Sequence, residues 1–494
     1  MKKYIINHQF SKLGLLFGIL LFASCQKSFL DLKPYNASVL SDAIKSEADL
    51  NAAVNGLYAS LRATDFYGRT FAVKGDLMAD HAFLSSQNSG RYTGFNLYNM
   101  VVTDGYASNI WFNAYQAIKN ANLIINSGLA ITNDNISQLF SEAYAIRGMV
   151  YFDLCRNYAL PYAKDPNGAG VPIVLSFDQN AKPARSSIKD VYAQAISDLN
   201  KAYSLAKFNQ GTTMTFQSTG QSRSVNSSFC SKYAISGLLA KVYQHMGDWT
   251  NAKNAALDVV NNGGFSLVPT TGLVNYWKGT TPRTDRVETM FEVTSDANNS
   301  VSDGTLANLY VPKPIGSYGD ILATQDFYNS HSLTDVRRQL YNPSTRSGQL
   351  GIAYYITKYP IDPINYDDVK IVRYAEVLLI LSEAYYNLND PINALKYLNM
   401  VAMQRDPIFA GYTSTGPQIL EDILTERGKE LAWEGYRFWD FYRLQRSFVK
   451  PQAQDASNVI IQSITVTPTT LNIIFPIPKD EVLVNPNITQ NNGY

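Results

Sequence analysis

The sequence predicts a mostly α-helical fold built from tetratricopeptide-like helical hairpins, interrupted by loop-rich insertions. In the stretch 231–262, apolar residues recur at the i, i+3, i+4 spacing of one helix face on both sides of a Gly247-Asp248 turn. This stretch has a small residue, an aromatic residue, a turn and then further small residues, in the order typical of a tetratricopeptide unit. The same order recurs later in the chain, with each position a constant number of residues after its counterpart. The matched positions are Ala240, Tyr243, Gly247, Asp248, Ala252 and Ala256 in the first hairpin and Ser382, Tyr385, Asn389, Asp390, Ala394 and Leu398 in the second.

Charge and composition restrict the possible partners. The chain has 494 residues, with 42 Lys plus Arg against 41 Asp plus Glu, so its formal net charge is only +1. Because no basic stripe stands out, nucleic acid is not an expected partner. The 33 tyrosines are the unusual feature. They suit surfaces that bind sugars or proteins, because tyrosine is apolar on its ring face and polar at its tip; the alternative is core packing within the helices.

The N-terminus resembles a bacterial lipoprotein signal peptide over 1–24. Lysines precede an apolar run, which closes with Ala23-Ser24-Cys25 and is shorter than a typical membrane span. We expect cleavage before Cys25, lipidation of its thiol and a tether over 25–45; the alternative is an ordinary secretory signal with a chance cysteine. Several acyl chains together would hold the protein stably on a bilayer.

Helical periodicity predicts four helices before the first hairpin. They are 47–62, 110–126, 137–158 and 188–206. Trp111 and Tyr115 supply apolar positions of the second helix, and Gly148 and Tyr151 repeat the small-then-aromatic step in the third. The fourth helix is amphipathic and is expected to pair with the third across a Pro/Gly loop. Cys155 and Cys230 stand in apolar helical contexts that favour buried thiols, with a disulfide between them as the alternative.

Two segments, about 64–108 and 264–367, lose the helical period and are rich in Gly, Asn, Asp and aromatic residues. Connections of this length are usually functional, so we predict two loop-rich insertions that form one face of the molecule. The second hairpin is predicted over 369–403 and a long helix over 417–445. The tail from 458 alternates Ile and Val as one or two strands would.

The last predicted helix carries a stripe of alternating charge. Its members are Arg427, Glu430, Glu434, Arg437 and Asp440, which recur at spacings of three and four. We interpret the stripe as a structural ion network. The alternative is a metal site or an acid/base pair formed by two carboxylates one turn apart.

Motifs of catalysis are missing from the sequence. The four histidines are scattered, without zinc-ligand spacing, and we find neither a nucleophile elbow nor a phosphate loop. We therefore predict no catalytic residue, no metal and no cofactor. Asp76 and Asp80 are the carboxylates that could flank a glycosidic bond, as in a glycoside hydrolase.

The insertions combine aromatic and hydrogen-bonding residues, which suits a sugar ring with its apolar C–H face and rim of hydroxyls. The candidate ligand-binding residues are Asp80, His81, Asn88, Arg91, Tyr92 and Tyr98 in the first insertion and Tyr276, Trp277, Tyr310 and Tyr318 in the second. For each aromatic the alternative is packing within the loop. If Trp277 is the platform, replacing it by alanine should weaken binding by roughly 1 to 3 kcal/mol.

Five segments in the right order resemble the SusD/RagB family of outer-membrane lipoproteins. They are CQKSFLDLKP after the signal, AYAIRGMVYFDLCRNYALPY, KVYQHMGDW, ERGKELAWEGYRFWDFYRL and the closing PIPKDEVLVNPNITQNNGY. The resemblance covers essentially the whole chain and implies a single domain over 46–494 with about four tetratricopeptide-like helix pairs. It also implies a protein that binds rather than cleaves. One departure is that Gln26-Lys27-Ser28 lacks the acidic run linked to surface export in some relatives.

The resemblance further implies a lipid-anchored protein on the cell exterior, lying as a lid on a TonB-dependent outer-membrane transporter of the SusC type. Its ligand would be a glycan or, in some members, a peptide. The family's ligand residues lie in variable insertions, so no motif transfers them to this chain. Three alternatives stay open: a peptide-binding member of the family, a helical scaffold without a small ligand, and a glycoside hydrolase.

Overall fold

The computed structural model describes residues 43–494 except 179, 218, 315, 347–350, 361–365 and 456–458. The predicted signal peptide (1–24), Cys25 and nearly all of the predicted tether (25–45) lie outside the described residues. Within the described part of the chain, every helix is too short or too polar to cross a lipid bilayer.

The described residues form sixteen α-helices, confirming the predicted mostly α-helical class. In chain order they are α1 (Glu47–Leu61), α2 (Thr70–Leu77), α3 (Thr93–Leu97), α4 (Gly105–Ile125), α5 (Asp134–Tyr158), α6 (Ile188–Leu205), α7 (Lys232–Met246), α8 (Trp249–Asn262), α9 (Leu273–Trp277), α10 (Leu306–Tyr310), α11 (Gln325–Asn329), α12 (Tyr374–Asn387), α13 (Pro391–Arg405), α14 (Gln418–Glu430), α15 (Arg437–Arg443) and α16 (Lys479–Val484).

The two matched hairpins, α7 with α8 and α12 with α13, turn by the same local chemistry. Gly247 and Asn389 end the first helix of each pair with positive φ (76° and 60°). The following Asp248 and Asp390 then accept a hydrogen bond from a backbone N–H in the first turn of the second helix, at 3.1 and 3.0 Å. Because these interactions are local, the sequence predicted the register of both hairpins correctly.

Helix α5 pairs with α6, as the small-then-aromatic step predicted. A Cβ added to Gly148 would lie 2.8 Å from the carbonyl oxygen of Ala195, so only glycine permits this approach of the two helices. Serine hydroxyls tie the pairs together: Ser141 donates to Ala202 O across α5 and α6 at 2.7 Å, and Ser382 donates to Ala394 O across α12 and α13 at 2.7 Å. With α1 packed on α4, these helices form four neighbouring pairs.

Short antiparallel strands complete the fold. They are β1 (Ala82–Leu84), β2 (Thr213–Thr215), β3 (Ser222–Ser224), β4 (Thr289–Val293), β5 (Ile321–Ala323), β6 (Tyr341–Thr345), β7 (Ile352–Ile356), β8 (Val369–Arg373), β9 (Phe448–Gln454) and β10 (Ile460–Val466). Strands β1, β5, β7 and β6 form one sheet in that order, while β2 pairs with β3, β4 with β8, and β9 with β10.

Two helix predictions were wrong at their boundaries. Residues 369–373, predicted as the start of a helix, form the buried strand β8 instead, because their β-branched side chains suit a ladder with β4. The predicted helix 417–445 is two helices, α14 and α15, separated by a turn. In that turn Trp433 and Gly435 have positive φ (69° and 83°), which a continuous helix cannot accommodate.

Both insertions contain regular structure. The first holds α2, β1 and α3, and the second holds several short helices and strands. The tail hairpin of β9 and β10 begins before the predicted start at 458. Cys155 and Cys230 are separate buried thiols.

Candidate ligand-binding face

The two insertions meet in one sheet. Strand β1 from the first insertion pairs with β5 from the second, with Ala82 opposite Ala323 and Leu84 opposite Ile321. The pairing continues past the strand end, where Ser85 N–H donates to the carbonyl oxygen of Asp320 at 2.8 Å. Polar residues that are far apart in sequence are therefore brought to a common surface.

Arg346 fastens the two insertions together beyond the sheet. Its guanidinium donates to Ser85 Oγ (2.9 Å) and Gln87 O (2.9 Å) in the first insertion and to Gly319 O (2.7 Å) and Tyr318 O (3.2 Å) in the second. Four hydrogen bonds from one rigid planar group fix the relative position of the two loops.

The centre of this surface is an interaction between Arg91 and Tyr318, two of the predicted ligand-binding residues. The Arg91 guanidinium carbon lies 4.0 Å from the Tyr318 ring centroid, and its Nη2 donates to the Tyr318 hydroxyl at 3.1 Å. Arg91 also donates to Ser89 Oγ at 2.7 Å, and Ser89 N–H donates to Asp320 Oδ1 at 2.9 Å. We call Ser89, Arg91, Tyr318 and Asp320 the insertion-face cluster. Arg91 and Tyr318 are partly exposed, and Ser89 is exposed.

Other polar groups border the insertion-face cluster. Asn88 is partly exposed and accepts a hydrogen bond from Gly90 N–H at 2.8 Å, in a turn where Gly90 has a φ of 85°. Ser317 donates to the exposed carboxylate of Asp303 at 3.0 Å. Sequence reasoning missed Ser89, Asp303, Ser317 and Asp320, because isolated Ser and Asp residues in loops give no periodic signal.

Asp80, which is partly exposed, and the buried His81 belong to a separate group of paired charges. Arg437 donates two hydrogen bonds to Asp80, at 2.8 and 2.9 Å. Burial by itself would raise the pKa of Asp80, but the Arg437 charge and hydrogen bonds hold it well below its usual range. His81 Nε2 lies 3.1 Å from Asp76 Oδ1, and its ring packs between Phe327 and Trp433 with centroid distances of 4.8 Å.

The imidazole of His81 titrates above its ordinary range. Burial by itself lowers the pKa of His81, but hydrogen bonds and charges from Asp76 and Asp80 raise it. Asp76 also accepts the backbone N–H of Gly435 at 2.7 Å. Both carboxylates are thus engaged within the protein, and His81 is buried.

Five of the other predicted aromatic residues are buried as well. They are Tyr92, Tyr98, Tyr276, Trp277 and Tyr310. The Tyr92 hydroxyl accepts from Arg69 Nε at 2.8 Å, and burial raises the pKa of Tyr92 to about 12. Tyr98 donates to Met78 O, and Tyr276 shares a 2.7 Å hydrogen bond with Thr289. In this structure these rings pack against protein. Of the predicted ligand-binding set, Asp80, Asn88, Arg91 and Tyr318 are partly exposed.

The charged stripe lies on α14, on the following turn and on α15, rather than on one helix. Glu430 accepts hydrogen bonds from three buried arginines, Arg337, Arg373 and Arg405, at 3.2, 3.0 and 3.0 Å. Burial alone would raise the pKa of Glu430, but these three positive charges hold it well below its usual range. Both carboxylate oxygens of Glu430 are thus engaged by cations of the protein itself.

Further ion pairs extend this network. Glu434 accepts from Arg373 (2.7 Å) and from Lys358 (2.7 Å), and Arg427 donates to Asp440 at 2.9 Å. Within the ranges that the structure describes, no cluster of three or more His, Cys, Asp or Glu side chains could hold a metal ion.

Two family models match the chain. One, described as starch-binding and associating with the outer membrane, matches residues 28–243, and the other, described as the SusD family, matches 353–494. Among curated proteins, SusD-like protein P2 of Formosa agariphila is 26% identical and is aligned over 100% of both chains.

Solved structures give the same relationship. A SusD superfamily protein from Bacteroides thetaiotaomicron is 25% identical, with a TM-score of 0.79 over 90% of this chain and 100% of that chain. A SusD-like carbohydrate binding protein from Bacteroides vulgatus shares the fold, with a TM-score of 0.75 and 20% identity over 90% of this chain and 98% of that chain.

Proposed function

Because the chain belongs to the SusD family, we propose that it is a cell-surface lipoprotein that captures a nutrient glycan and delivers it to a TonB-dependent transporter of the SusC type. The family model that matches the N-terminal half is described as starch-binding, which favours a glycan over a peptide. The protein acts by binding and carries out no reaction.

The insertion-face cluster is the observation that supports glycan capture. Tyr318 offers an aromatic ring for the C–H face of a sugar, and the exposed Ser89 and Asp303 provide groups for its hydroxyl rim. Arg346 and the β1–β5 pairing hold these groups in place before any ligand arrives, which reduces the entropic cost of binding.

The test is calorimetric titration of the mature chain from residue 25, carrying Cys25→Ser so that it stays free of lipid, with a panel of polysaccharides and oligosaccharides. We expect saturable binding to one glycan class and a loss of about 1 to 3 kcal/mol of binding free energy in Tyr318→Ala. The matched control is Tyr386→Ala, which removes a partly exposed tyrosine of α12 and should bind as the unmodified chain does.

Each alternative has its own outcome in the same experiment. A panel of peptides is titrated in the same way. Binding of peptides instead of glycans would point to a peptide-binding member of the family, and absence of binding to either panel would point to a scaffold. Shortening of an oligosaccharide after long incubation would identify a hydrolase.

We further propose that Cys25 carries the lipid and that the protein faces the cell exterior. Support comes from the lipoprotein-like signal and from the outer-membrane description of the matching family model. Protease treatment of intact cells checks the orientation: cleavage of the protein at the surface is expected, and full protection would contradict it.

A further inference from the structure

Five large apolar side chains are exposed on the chain segments that form one groove, which shares no residue with the insertion-face cluster. They are Phe112, Leu175, Phe177, Leu483 and Val484. Phe112 and Phe177 line the groove itself and are 60% and 59% exposed, values that are costly for phenylalanine in water. An exposed apolar patch of this kind on a soluble domain usually marks an interaction surface.

The groove encloses about 450 Å³ and is formed by helix α4, by the loop residues 172–178 with Pro183, and by helix α16. Trp111, Tyr115 and Ile118 of α4 supply the apolar floor together with Pro172 and Val174 of the loop. The opening is therefore a cleft with a hydrophobic base and not a flat surface.

Hydrogen bonds hold the walls in place. The Tyr115 hydroxyl donates to Pro172 O at 2.8 Å, and Asn122 and Asn126 donate to Val174 O and Leu175 O, each at 2.8 Å. On the other side, Trp111 Nε1 donates to Glu481 Oε2 at 3.3 Å. Because polar side chains of α4 fasten both walls, the groove is formed in the absence of a partner.

The charges along the groove are unequal. Asp178, Asp480 and Glu481 contribute three carboxylates, whereas Lys119 contributes the one positive charge among the lining residues. Asp178 and Asp480 are exposed at the rim, where they can pair with the cations of a ligand. Aromatic faces beside carboxylates also attract cations directly.

We infer that this groove docks an extended segment of a partner protein in which apolar side chains alternate with lysine or arginine. The apolar side chains of such a segment cover Phe112 and Phe177, and its cations pair with Asp178 and Asp480. Leu175 on the loop and Leu483 and Val484 on α16 are exposed aliphatic residues next to the lining residues in sequence. They favour a protein segment over a sugar, which has few apolar groups to bury against them. The site is independent of glycan capture at the insertion face.

The test uses a synthetic peptide of alternating leucine and lysine that carries one photoreactive benzophenone side chain, with its leucine–glutamate counterpart as the charge control. Both are titrated by fluorescence anisotropy against the mature Cys25→Ser chain and then cross-linked. We expect the lysine peptide to bind more tightly than the glutamate peptide and to cross-link to residues of α4, 172–178 or α16.

Neutral substitutions localise the binding without adding charge. Phe112→Ser and Phe177→Ser should each weaken binding of the lysine peptide by about tenfold or more. Their side chains are exposed, so both variants should fold. The matched control is Ile392→Ser, which removes an apolar side chain of α13 that is 81% exposed and should leave the affinity unchanged.

Three results would each overturn the inference: equal affinity of the two peptides, cross-links that map away from these elements, or unchanged binding in Phe112→Ser. Competitive displacement of the peptide by an oligosaccharide would reassign the groove to glycan binding. Peptide binding at the groove should be unchanged in Tyr318→Ala, even if that variant loses glycan binding at the insertion face. The two proposals can therefore fail separately.

Discussion

Trp277 is surrounded by cations in the interior of the second insertion. Lys358 Nζ lies 3.9 Å from its ring centroid, and the Arg373 guanidinium carbon lies 5.1 Å from it. The ring is 3% exposed, so a ligand cannot stack on it in this structure. Its indole instead stabilises two positive charges that also bind Glu434.

We therefore expect Trp277→Ala to lower stability rather than ligand affinity. The loss should be about 3 to 5 kcal/mol, as for other buried large aromatic residues. Equilibrium urea unfolding measures it, and the half-buried Trp249 provides a matched Trp→Ala control with a smaller effect. A folded, stable Trp277→Ala protein with weakened glycan binding would restore Trp277 as the platform.

At the scale of elements, the turn between α14 and α15 shows how close packing overrides helical periodicity. Residues 417–445 have a helical pattern, yet the chain turns where Gly435 lies against α2. A Cβ on Gly75 of α2 would lie 1.9 Å from Gly435 O, which is impossible without movement of the backbone. Glycines at both positions allow this approach.

Gly75→Ala should destabilise the protein by at least about 2 kcal/mol, because the new methyl group meets backbone atoms that cannot rotate away. The control is Gly56→Ala in α1, where no atom lies within 4 Å of the added Cβ. That substitution should stabilise by about 0.5 to 1 kcal/mol through helix propensity. Thermal unfolding compares the stability of the two variants directly. Equal melting temperatures would show that the turn between α14 and α15 moves enough to accommodate the added methyl group.

At the scale of the whole molecule, the buried ion network joins the second insertion to the C-terminal helices. Arg373 at the end of β8 donates to Glu288, Glu430 and Glu434, at 2.7, 3.0 and 2.7 Å. Arg405 of α13 bridges Glu288 and Glu430, each at 3.0 Å. Since these groups are shielded from water, removing one partner leaves the others uncompensated.

Arg373→Met should therefore destabilise the protein by about 3 to 5 kcal/mol. The control is Arg446→Met, which breaks the exposed pair with Glu421 and should cost no more than about 1 kcal/mol. Chemical unfolding followed by circular dichroism measures both. A small effect in Arg373→Met would mean that apolar packing, and not the ion network, holds the insertion to the helices.

The helical class, both matched hairpins and the pairing of α5 with α6 could be predicted from the sequence alone. Periodicity, glycine turns and aspartate caps act between residues close in the chain, so they can be read from it directly. The sequence also predicted Arg91 and Tyr318 as candidate ligand-binding residues, because their side-chain chemistry suits a sugar. The SusD family membership followed from five short segments in the right order.

Which aromatic residues face solvent became clear from the three-dimensional structure. Trp277 and Tyr310 are internal, whereas Phe112, on a helix assigned from its apolar positions, is exposed beside a groove. Burial depends on contacts between distant segments, such as the β1–β5 pairing and the approach of Gly435 to α2, and these leave no periodic trace in the chain. The place where a ligand or partner can bind is therefore set by long-range packing, even though the residues that suit the task are visible in the sequence.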